Sequence, residues 1–233
     1  GKNSTAARLN PGTRFVTIRK EQVEQAVEHL KQRDPVLRQV INQAGPFTLK
    51  PERDRFWMLV RSIISQQISV KAARSIRDRL VLLAAPHKIS PEVLVQLGPD
   101  DLRTAGVSPQ KARYLLDLAT KVHDGTVRLS KIGRLSDDEV IVELTQVVGI
   151  GRWTAEMFLM FALGRLDVFP VGDLGVRNAM KTLYSFEDST PLADYHKIAE
   201  SWAPYRSVAS WYCWRSLETP TAGASEAETG FPS

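Results

Sequence analysis

Cysteine is almost absent from this 233-residue chain, in which Cys213 is the single example. One cysteine excludes an intramolecular disulfide and any metal or iron–sulfur cluster held by cysteines alone. Long apolar runs are also missing, because the longest, Met157 to Leu163, is far below the ~20 residues of a membrane-spanning helix. The four histidines lie far apart in sequence and form no short zinc-binding pattern. We therefore expect neither a disulfide-stabilised nor a membrane-spanning protein.

The charge balance favours an anionic partner. Lys and Arg number 31 against 26 Asp and Glu, which gives a net charge of +5 and a sequence pI near 9.4. Nucleic acid is the first candidate for such a partner. The apolar share of 43% is enough for a substantial core. The first residues contain no apolar signal region.

Sequence patterns typical of helix starts recur along the chain. An N-capping side chain precedes a proline at Asp34-Pro35, Ser90-Pro91, Ser108-Pro109 and Thr190-Pro191. Only RFVTIR, from Arg14 to Arg19, alternates enough to suggest a brief strand. The sequence therefore predicts an all-α fold, with helices at about 20–31, 35–44, 53–64, 68–84, 91–97, 109–123, 137–146, 152–163, 174–184, 191–201 and 205–215.

A Gly-Ile-Gly turn links two of these helices. Ser136 and Glu139 form a capping-box pattern before the first helix, and the second begins near Arg152. Glycine permits a positive φ and a close approach, and the free N–H groups at the start of the second helix form a site for one phosphate. An ordinary helical hairpin is the alternative interpretation of the same turn. The second helix, TAEMFLMFAL, is so apolar that we expect it to be buried in the core.

Asp173 lies directly before another predicted helix, in the stretch VFPVGD. A role as the N-cap of that helix accounts for its position. The dipole and free amides at a helix start also favour an ionised carboxylate, as a catalytic group that faces a developing positive charge requires. The two roles are compatible, so the sequence leaves both open.

The order of these features resembles the helix-hairpin-helix/Gly-Pro-Asp superfamily of DNA base-excision glycosylases. Its motif positions correspond to Gly149, Gly151, Pro170, Gly172 and Asp173 in this chain. The stretch GIGRWTA is similar to the 3-methyladenine DNA glycosylase II (AlkA/Mag) branch of the superfamily. Further similar stretches are IISQQISVKAA at 63–73, AGVSPQKARYL at 105–115 and WAPYRSVASWYCW at 202–214, so the resemblance covers about residues 45–216.

The resemblance implies a role for each motif residue. Asp173 would be the catalytic carboxylate, and Trp153, Trp214 and Met157 would line the pocket for a flipped base. The implied DNA-binding residues are Gly149, Ile150, Gly151, Arg152, Gln67, Lys71 and Lys111, with Gln67 as the wedge that fills the gap left by the base. The backbone carbonyls of Thr145, Val147 and Ile150 would hold a monovalent Na⁺ or K⁺. Core packing for the tryptophans, and plain solvation for Gln67 and the basic side chains, remain the alternatives.

Two departures from sister branches narrow the implied function. Trp153 stands where bifunctional relatives carry a Schiff-base lysine, and one cysteine cannot build the four-cysteine iron–sulfur loop of other branches. The resemblance therefore implies a monofunctional glycosylase that requires no cofactor and hydrolyses the N-glycosidic bond of N3- or N7-methylpurines. No second carboxylate is evident as a general acid, since we interpret Asp167 as a surface residue.

The implied partner is double-stranded DNA with alkylated bases, with no membrane involved. The protein would be a monomer, located in the cytoplasm with the nucleoid if bacterial and in the nucleus if eukaryotic. Three rival functions remain: a non-catalytic helix-hairpin-helix DNA-binding module, a bifunctional lyase that uses Lys71 or Lys111, and an all-α protein-interaction domain.

The implied architecture is a helix-hairpin-helix glycosylase fold of two helical subdomains with the active cleft between them. Residues 16–66 and 169–216, from both ends of the chain, would form one subdomain. Residues 67–168 would form the other, with the helix-hairpin-helix at 137–163. The segments 1–15 and 217–233 would be a disordered N-terminus and a disordered tail.

Overall fold

The computed structural model describes residues 16–218, which form an all-α fold, as the sequence predicts. The helices are α1 (Lys20–Arg33), α2 (Pro35–Ala44), α3 (Arg55–Ser65), α4 (Val70–Ala84), α5 (Pro91–Thr104), α6 (Pro109–His123), α7 (Asp137–Thr145), α8 (Arg152–Phe161), α9 (Leu174–Tyr184), α10 (Leu192–Glu200) and α11 (Arg206–Glu218). A short 3-10 helix at Ile132–Arg134 precedes α7. The predicted N-terminal segment 1–15 and most of the predicted tail lie outside the described residues, and α11 extends two residues into that tail.

The suggested strand at Arg14 to Arg19 is wrong where the structure describes it. Val16–Arg19 has no regular secondary structure, and residues 14 and 15 lie outside the described part. Within residues 16–218 there is no strand for this segment to pair with, and an alternating pattern forms a strand only when a partner satisfies its backbone groups.

Helix caps follow the sequence pattern at three of the four predicted positions. The side chains of Asp34, Ser90 and Ser108 accept hydrogen bonds from backbone N–H groups one turn into α2, α5 and α6. The fourth prediction is wrong, because Pro191 is itself the N-cap of α10 and no side chain caps that helix. The fixed φ of proline suits an N-cap as well as the first helical position.

Helix α5 is longer than predicted because it continues through a kink. Gly98 has φ 72° and ψ 178° within it, and Pro99 follows. The Gly-Pro pair ends the first helical piece and starts a second, since proline fits the first turn of a helix.

Two clusters of buried side chains form the core. The first contains residues from α3 to α8, and the second contains residues from α1, α2 and α9 to α11. Trp214 on α11 packs against both clusters. Helix α3 belongs to the first cluster by its packing, although it lies within the predicted range 16–66; the division at residues 66 and 168 stays a prediction.

Helix α8 is buried nearly all round, as its composition predicts. Every residue from Thr154 to Met160 is buried, including the charged Glu156. Across residues 16–218, we find no helix with the length and apolar character to span a bilayer.

Candidate active site

The hairpin between α7 and α8 forms as predicted. Ser136 caps α7, and the side chain of Glu139 accepts from the Ser136 backbone N–H in a capping box. Gly149 has φ +88°, and a Cβ at this position would lie 2.3 Å from the ring of Tyr114. Gly151, the N-cap of α8, has an ordinary extended φ of −97°, and a Cβ there would meet no heavy atom within 4 Å. The fold therefore requires glycine at 149 for two independent reasons.

Helix α6 holds the hairpin turn from one side. Asp117 Oδ2 accepts from the backbone N–H of Val148 at 2.8 Å and pairs with Lys121 Nζ at 2.8 Å. Lys121 also donates to the carbonyl of Gln146 at 2.7 Å. Burial acts to raise the pKa of Asp117, but the bonds from Lys121 and Val148 outweigh it and hold the pKa below its usual value. The two contacts to the hairpin were not predicted from the sequence because they join residues 31 and 25 positions apart.

The proposed cation ligands lie on the same turn. The Thr145 hydroxyl donates to the carbonyl of Ile141 at 2.7 Å, and the Val147 carbonyl accepts from the Ile150 N–H at 3.1 Å. A carbonyl has two lone pairs, so Val147 retains one for an ion. Neutral carbonyl oxygens are ligands for hard cations, and Na⁺ or K⁺ at the carbonyls of Thr145, Val147 and Ile150 stays a prediction. Within residues 16–218, no group of three or more His, Cys, Asp or Glu side chains forms a further metal-binding cluster.

Asp173 lies at the N-cap of α9, where its Oδ1 accepts from the Val176 N–H at 2.8 Å. Two indole N–H groups bind the same carboxylate: Trp153 Nε1 donates to Oδ2 at 2.7 Å, and Trp214 Nε1 donates to Oδ1 at 2.8 Å. Asp173 is only 6% exposed. Asp173 and two of the predicted pocket residues, Trp153 and Trp214, therefore meet at one point. The indole N–H bonds that join them were not predicted from the sequence.

Gly175 makes room for this arrangement. A Cβ at position 175 would lie 3.0 Å from Trp214 Cδ1 and 3.1 Å from Asp173 Oδ1. A side chain there would push the indole away from the carboxylate. The small residue in the first turn of α9 thus allows Trp214 to reach Asp173.

The two tryptophans differ from Met157 in their access to the surface. Trp153 is 36% exposed and Trp214 is partly buried, whereas Met157 is 1% exposed and packs in the first core cluster. Met157 lies on α8 one turn beyond Trp153 and beneath the surface. Its place in the base pocket stays a prediction.

Sequence reasoning missed a second buried carboxylate near Asp173, that of Glu156. It is 5% exposed on α8, and its Oε1 accepts from Arg152 Nε at 3.0 Å. Burial raises the pKa of Glu156, Arg152 opposes this, and the nearby charge of Asp173 adds to the rise. A glutamate inside an otherwise apolar helix was the available signal, because such a charge is seldom fully buried without a partner.

Asp167, interpreted from the sequence as a surface residue, is partly enclosed and has a charged partner. It is half-buried, and its two oxygens accept from Arg206 Nε at 2.8 Å and Nη2 at 3.0 Å. Such a bidentate pair fixes the start of α11 to the segment before α9. Asp167 therefore has a structural partner.

The predicted DNA-binding side chains fall into two groups. Gln67, Lys71 and Arg152 are exposed, and Gln67 adopts a left-handed φ of 55° in the turn between α3 and α4. Lys111 differs from the expectation, because its ammonium donates to the carbonyls of Ile64 at 2.8 Å and Gln66 at 2.5 Å. Burial lowers the pKa of Lys111.

The structure combines a helix-hairpin-helix with a carboxylate at the start of the next helix, the order of features that the sequence resemblance assigns to a class of helical DNA-repair proteins. Residues 60–204 match the family described as HhH-GPD superfamily base excision DNA repair protein. The chain belongs to this family. The resemblance drawn from the sequence motifs is therefore confirmed.

Individual relatives agree with this assignment. A crystal structure of DNA-3-methyladenine glycosidase from Bacillus halodurans is 39% identical, with a TM-score of 0.75 over 83% of this chain and 89% of that one. The Schizosaccharomyces pombe 3-methyladenine DNA glycosylase Mag1, in complex with abasic DNA, is 32% identical, with a TM-score of 0.73 over 82% of this chain and 96% of that one. The similarity supports DNA binding and confirms the predicted helix-hairpin-helix glycosylase fold.

A Bacillus subtilis protein, YfjP, is 33% identical over 166 residues, which are 69% of this chain. The chain spans 58% of the length of that relative.

Proposed function

We propose that this protein is a monofunctional DNA glycosylase that hydrolyses the N-glycosidic bond of alkylated purines in double-stranded DNA, with N3- and N7-methylpurines as substrates. The observation that carries the proposal is the Asp173 carboxylate, bound by Trp153 and Trp214 at the start of α9. The relatives named as 3-methyladenine glycosylases support the same reaction.

In this mechanism Asp173 acts on the sugar. Cleavage of the N-glycosidic bond passes through an oxocarbenium-like sugar, which an ionised carboxylate stabilises. The same carboxylate orients the water that completes hydrolysis. Three N–H donors hold it in one orientation, so little reorganisation is needed when the positive charge develops.

The substrate base leaves the duplex before it reacts. Extrusion costs a few kcal/mol of unstacking, which a damaged base lowers. The rings of Trp153 and Trp214 then present π faces to an alkylated base that carries a positive charge, an attraction of about 1–2 kcal/mol when desolvated. A cationic purine is a good leaving group, so the reaction requires no general acid.

DNA is held by its backbone at the hairpin. The free N–H groups at the start of α8, beside Gly151 and Arg152, bind one phosphate, with Na⁺ or K⁺ on the carbonyls of Thr145, Val147 and Ile150 as a structural ion. Lys71 contacts a second phosphate, and Gln67 enters the gap left by the base. The protein acts as a monomer, within the nucleoid of a bacterial cell or the nucleus of a eukaryotic one.

The experiment that tests the proposal compares base release by the wild type and by Asp173→Asn. Single-turnover release of 7-methylguanine or 3-methyladenine should fall by about 10²–10³-fold in the variant, because the charge that stabilises the transition state is lost. Binding to an abasic-site analogue should remain. Asp54→Asn is the matched control, since Asp54 is the exposed N-cap of α3 and asparagine also caps helices.

Two results would contradict the proposal. Binding of DNA by the wild type without release of any methylpurine would favour a non-catalytic DNA-binding module. Trapping of the wild type on abasic DNA by borohydride would instead reveal an imine formed by a lysine such as Lys71, and with it a bifunctional lyase.

A further inference from the structure

The turn between α3 and α4, residues 66–69, carries an unusual backbone at an exposed position. Gln67 has φ 55°, which lies in the left-handed region that favours glycine. A residue with a side chain stays in that region only where surrounding contacts hold it. The contacts that hold this turn therefore decide where Gln67 points.

Lys111 supplies the first of these contacts. The last carbonyls of a helix have no partner within the helix and carry a partial negative charge. Lys111, in the first turn of α6, donates to the carbonyls of Ile64 at 2.8 Å and Gln66 at 2.5 Å at the end of α3. Its ammonium thus fixes both the helix end and the first residue of the turn.

Gln66 supplies the second contact, which joins the turn to the hairpin. Its side-chain Nε2 donates to the carbonyl of Gly149 at 3.0 Å. Gly149 is in turn fixed against Tyr114 of α6, and the neighbouring Val148 N–H is bound by Asp117 of the same helix. One face of α6 therefore holds both the turn of Gln67 and the phosphate-binding hairpin.

We infer that Lys111 and Gln66 are positioning residues that keep the 66–69 turn at a fixed distance from the hairpin, so that Gln67 enters the duplex as the hairpin grips the backbone. The inference rests on the proposed function. We call the contacts of Lys111 with the carbonyls of Ile64 and Gln66, and of Gln66 with Gly149, the brace. A shift of about 1 Å in a positioned group costs roughly 10²-fold in rate, so loss of the brace should have a measurable effect.

The test uses the full chain with Lys111→Met and Gln66→Met, and Lys88→Met as the matched control. Lys88 is an exposed lysine between α4 and α5, so its loss removes one charge without touching the brace. Four quantities are measured: the rate of single-turnover release of 7-methylguanine at saturating enzyme, the fluorescence of 2-aminopurine placed beside the lesion, the affinity for undamaged duplex as a function of salt, and the melting temperature.

We expect Lys111→Met and Gln66→Met each to lower the release rate by about 10- to 100-fold and to reduce the 2-aminopurine signal of unstacking. The affinity for undamaged duplex should stay within about twofold of Lys88→Met, with the same salt slope. Lys111→Arg should recover part of the rate, because a guanidinium also donates to carbonyls. Gln66→Met leaves the bonds of Lys111 to the backbone in place. If Lys111→Met does not fold, the release rate of Gln66→Met alone tests the inference.

The possible outcomes distinguish a failure of this inference from a failure of the proposed function. If Lys111→Met weakens binding to undamaged duplex and lowers the salt slope by about one, with the saturated rate retained, Lys111 is a phosphate contact and the inference is wrong. If both variants lower the melting temperature but keep the release rate and the 2-aminopurine signal, the brace only stabilises the fold and the inference is wrong. If the wild type unstacks the base but releases none, the proposed reaction fails while the unstacking signal of the variants still tests the brace.

Discussion

Two aspartates in this protein have almost the same local structure, and their difference separates a structural carboxylate from a candidate catalytic one. Asp34 caps α2, with its Oδ1 bound by the N–H groups of Val36 and Leu37. Its Oδ2 accepts from the Tyr184 hydroxyl at 2.6 Å and from Trp202 Nε1 at 2.8 Å. Asp173 likewise combines a helix cap with two ring donors, and the two residues are 5% and 6% exposed.

The difference lies in where the ring donors belong. Trp202 is fully buried and Tyr184 packs against the same second core cluster, so Asp34 is enclosed by one part of the molecule. Trp153 lies on α8 of the first cluster and is 36% exposed, and Trp214 packs against both clusters. Asp173 is thus held where the two clusters meet, beside rings that a ligand can reach. Capping and burial alone do not identify a catalytic carboxylate.

The largest expected effect on stability is that of Asp34→Ala. Removal of this carboxylate leaves Tyr184, Trp202 and the start of α2 with unsatisfied donors in the core, which should cost about 3–5 kcal/mol of unfolding free energy. The rate of base release per folded molecule should not change. Urea denaturation measures the first quantity, and single-turnover kinetics with active enzyme counted by DNA binding measures the second. A lost rate with intact stability would make Asp34 a functional residue.

A matched pair of tryptophan variants compares the donors of Asp34 and Asp173, with smaller expected effects on stability than Asp34→Ala. Trp202→Phe removes one donor from Asp34 and leaves space in a fully buried position, so we expect a loss of about 2–3 kcal/mol in stability with the release rate unchanged. Trp153→Phe removes one donor from Asp173 at a more exposed position, so stability should fall by less than about 1 kcal/mol.

The release rate of Trp153→Phe should drop about tenfold, because the carboxylate is less well oriented. Thermal melting and single-turnover release, measured on both proteins, form the test. Equal effects of the two substitutions on rate would remove the distinction between the aspartates.

The smallest expected effect concerns Glu156, the carboxylate next to Asp173. Burial raises its folded pKa above the unfolded value near 4.5, so the charged form destabilises the fold at neutral pH, and this penalty fades as the pH falls through the folded pKa. Glu156→Gln should therefore add about 0.5–1 kcal/mol of stability at pH 7–8 and nothing near pH 4. The exposed Arg152 partner contributes little to oppose this.

Urea midpoints of the wild type and Glu156→Gln, compared across pH 4–8, give the measurement. A gain that grew toward acid pH would show that the pair with Arg152 outweighs burial.

Local signals in the sequence predicted most of the helices, the hairpin and Asp173. Capping residues, glycine turns and apolar periodicity depend on residues close together in the chain, so they can be recognised in the sequence. The sequence did not reveal that the indoles of Trp153 and Trp214 bind Asp173, that Lys111 holds the end of α3, or that Asp34 has a similar environment. Those contacts join residues far apart in the chain, and only the packing of helices brings them together.

The roles of the candidate site residues remain predictions for the same reason. Trp202 and Trp214 are both tryptophans in the last part of the chain, twelve residues apart. The resemblance distinguished Trp214 as a pocket residue, but only the fold shows that Trp202 binds Asp34 and that Trp214 binds Asp173.

The two glycines of the hairpin turn look equivalent in the sequence but are constrained by different forces. At position 149 both the backbone conformation and the packing disfavour any side chain, because φ is +88° and Tyr114 occupies the space of a Cβ. At position 151 the backbone is ordinary and the space is empty, so the chain would accept a side chain there. The fold therefore excludes a side chain at position 149, whereas only a ligand bound at the start of α8 would exclude one at position 151.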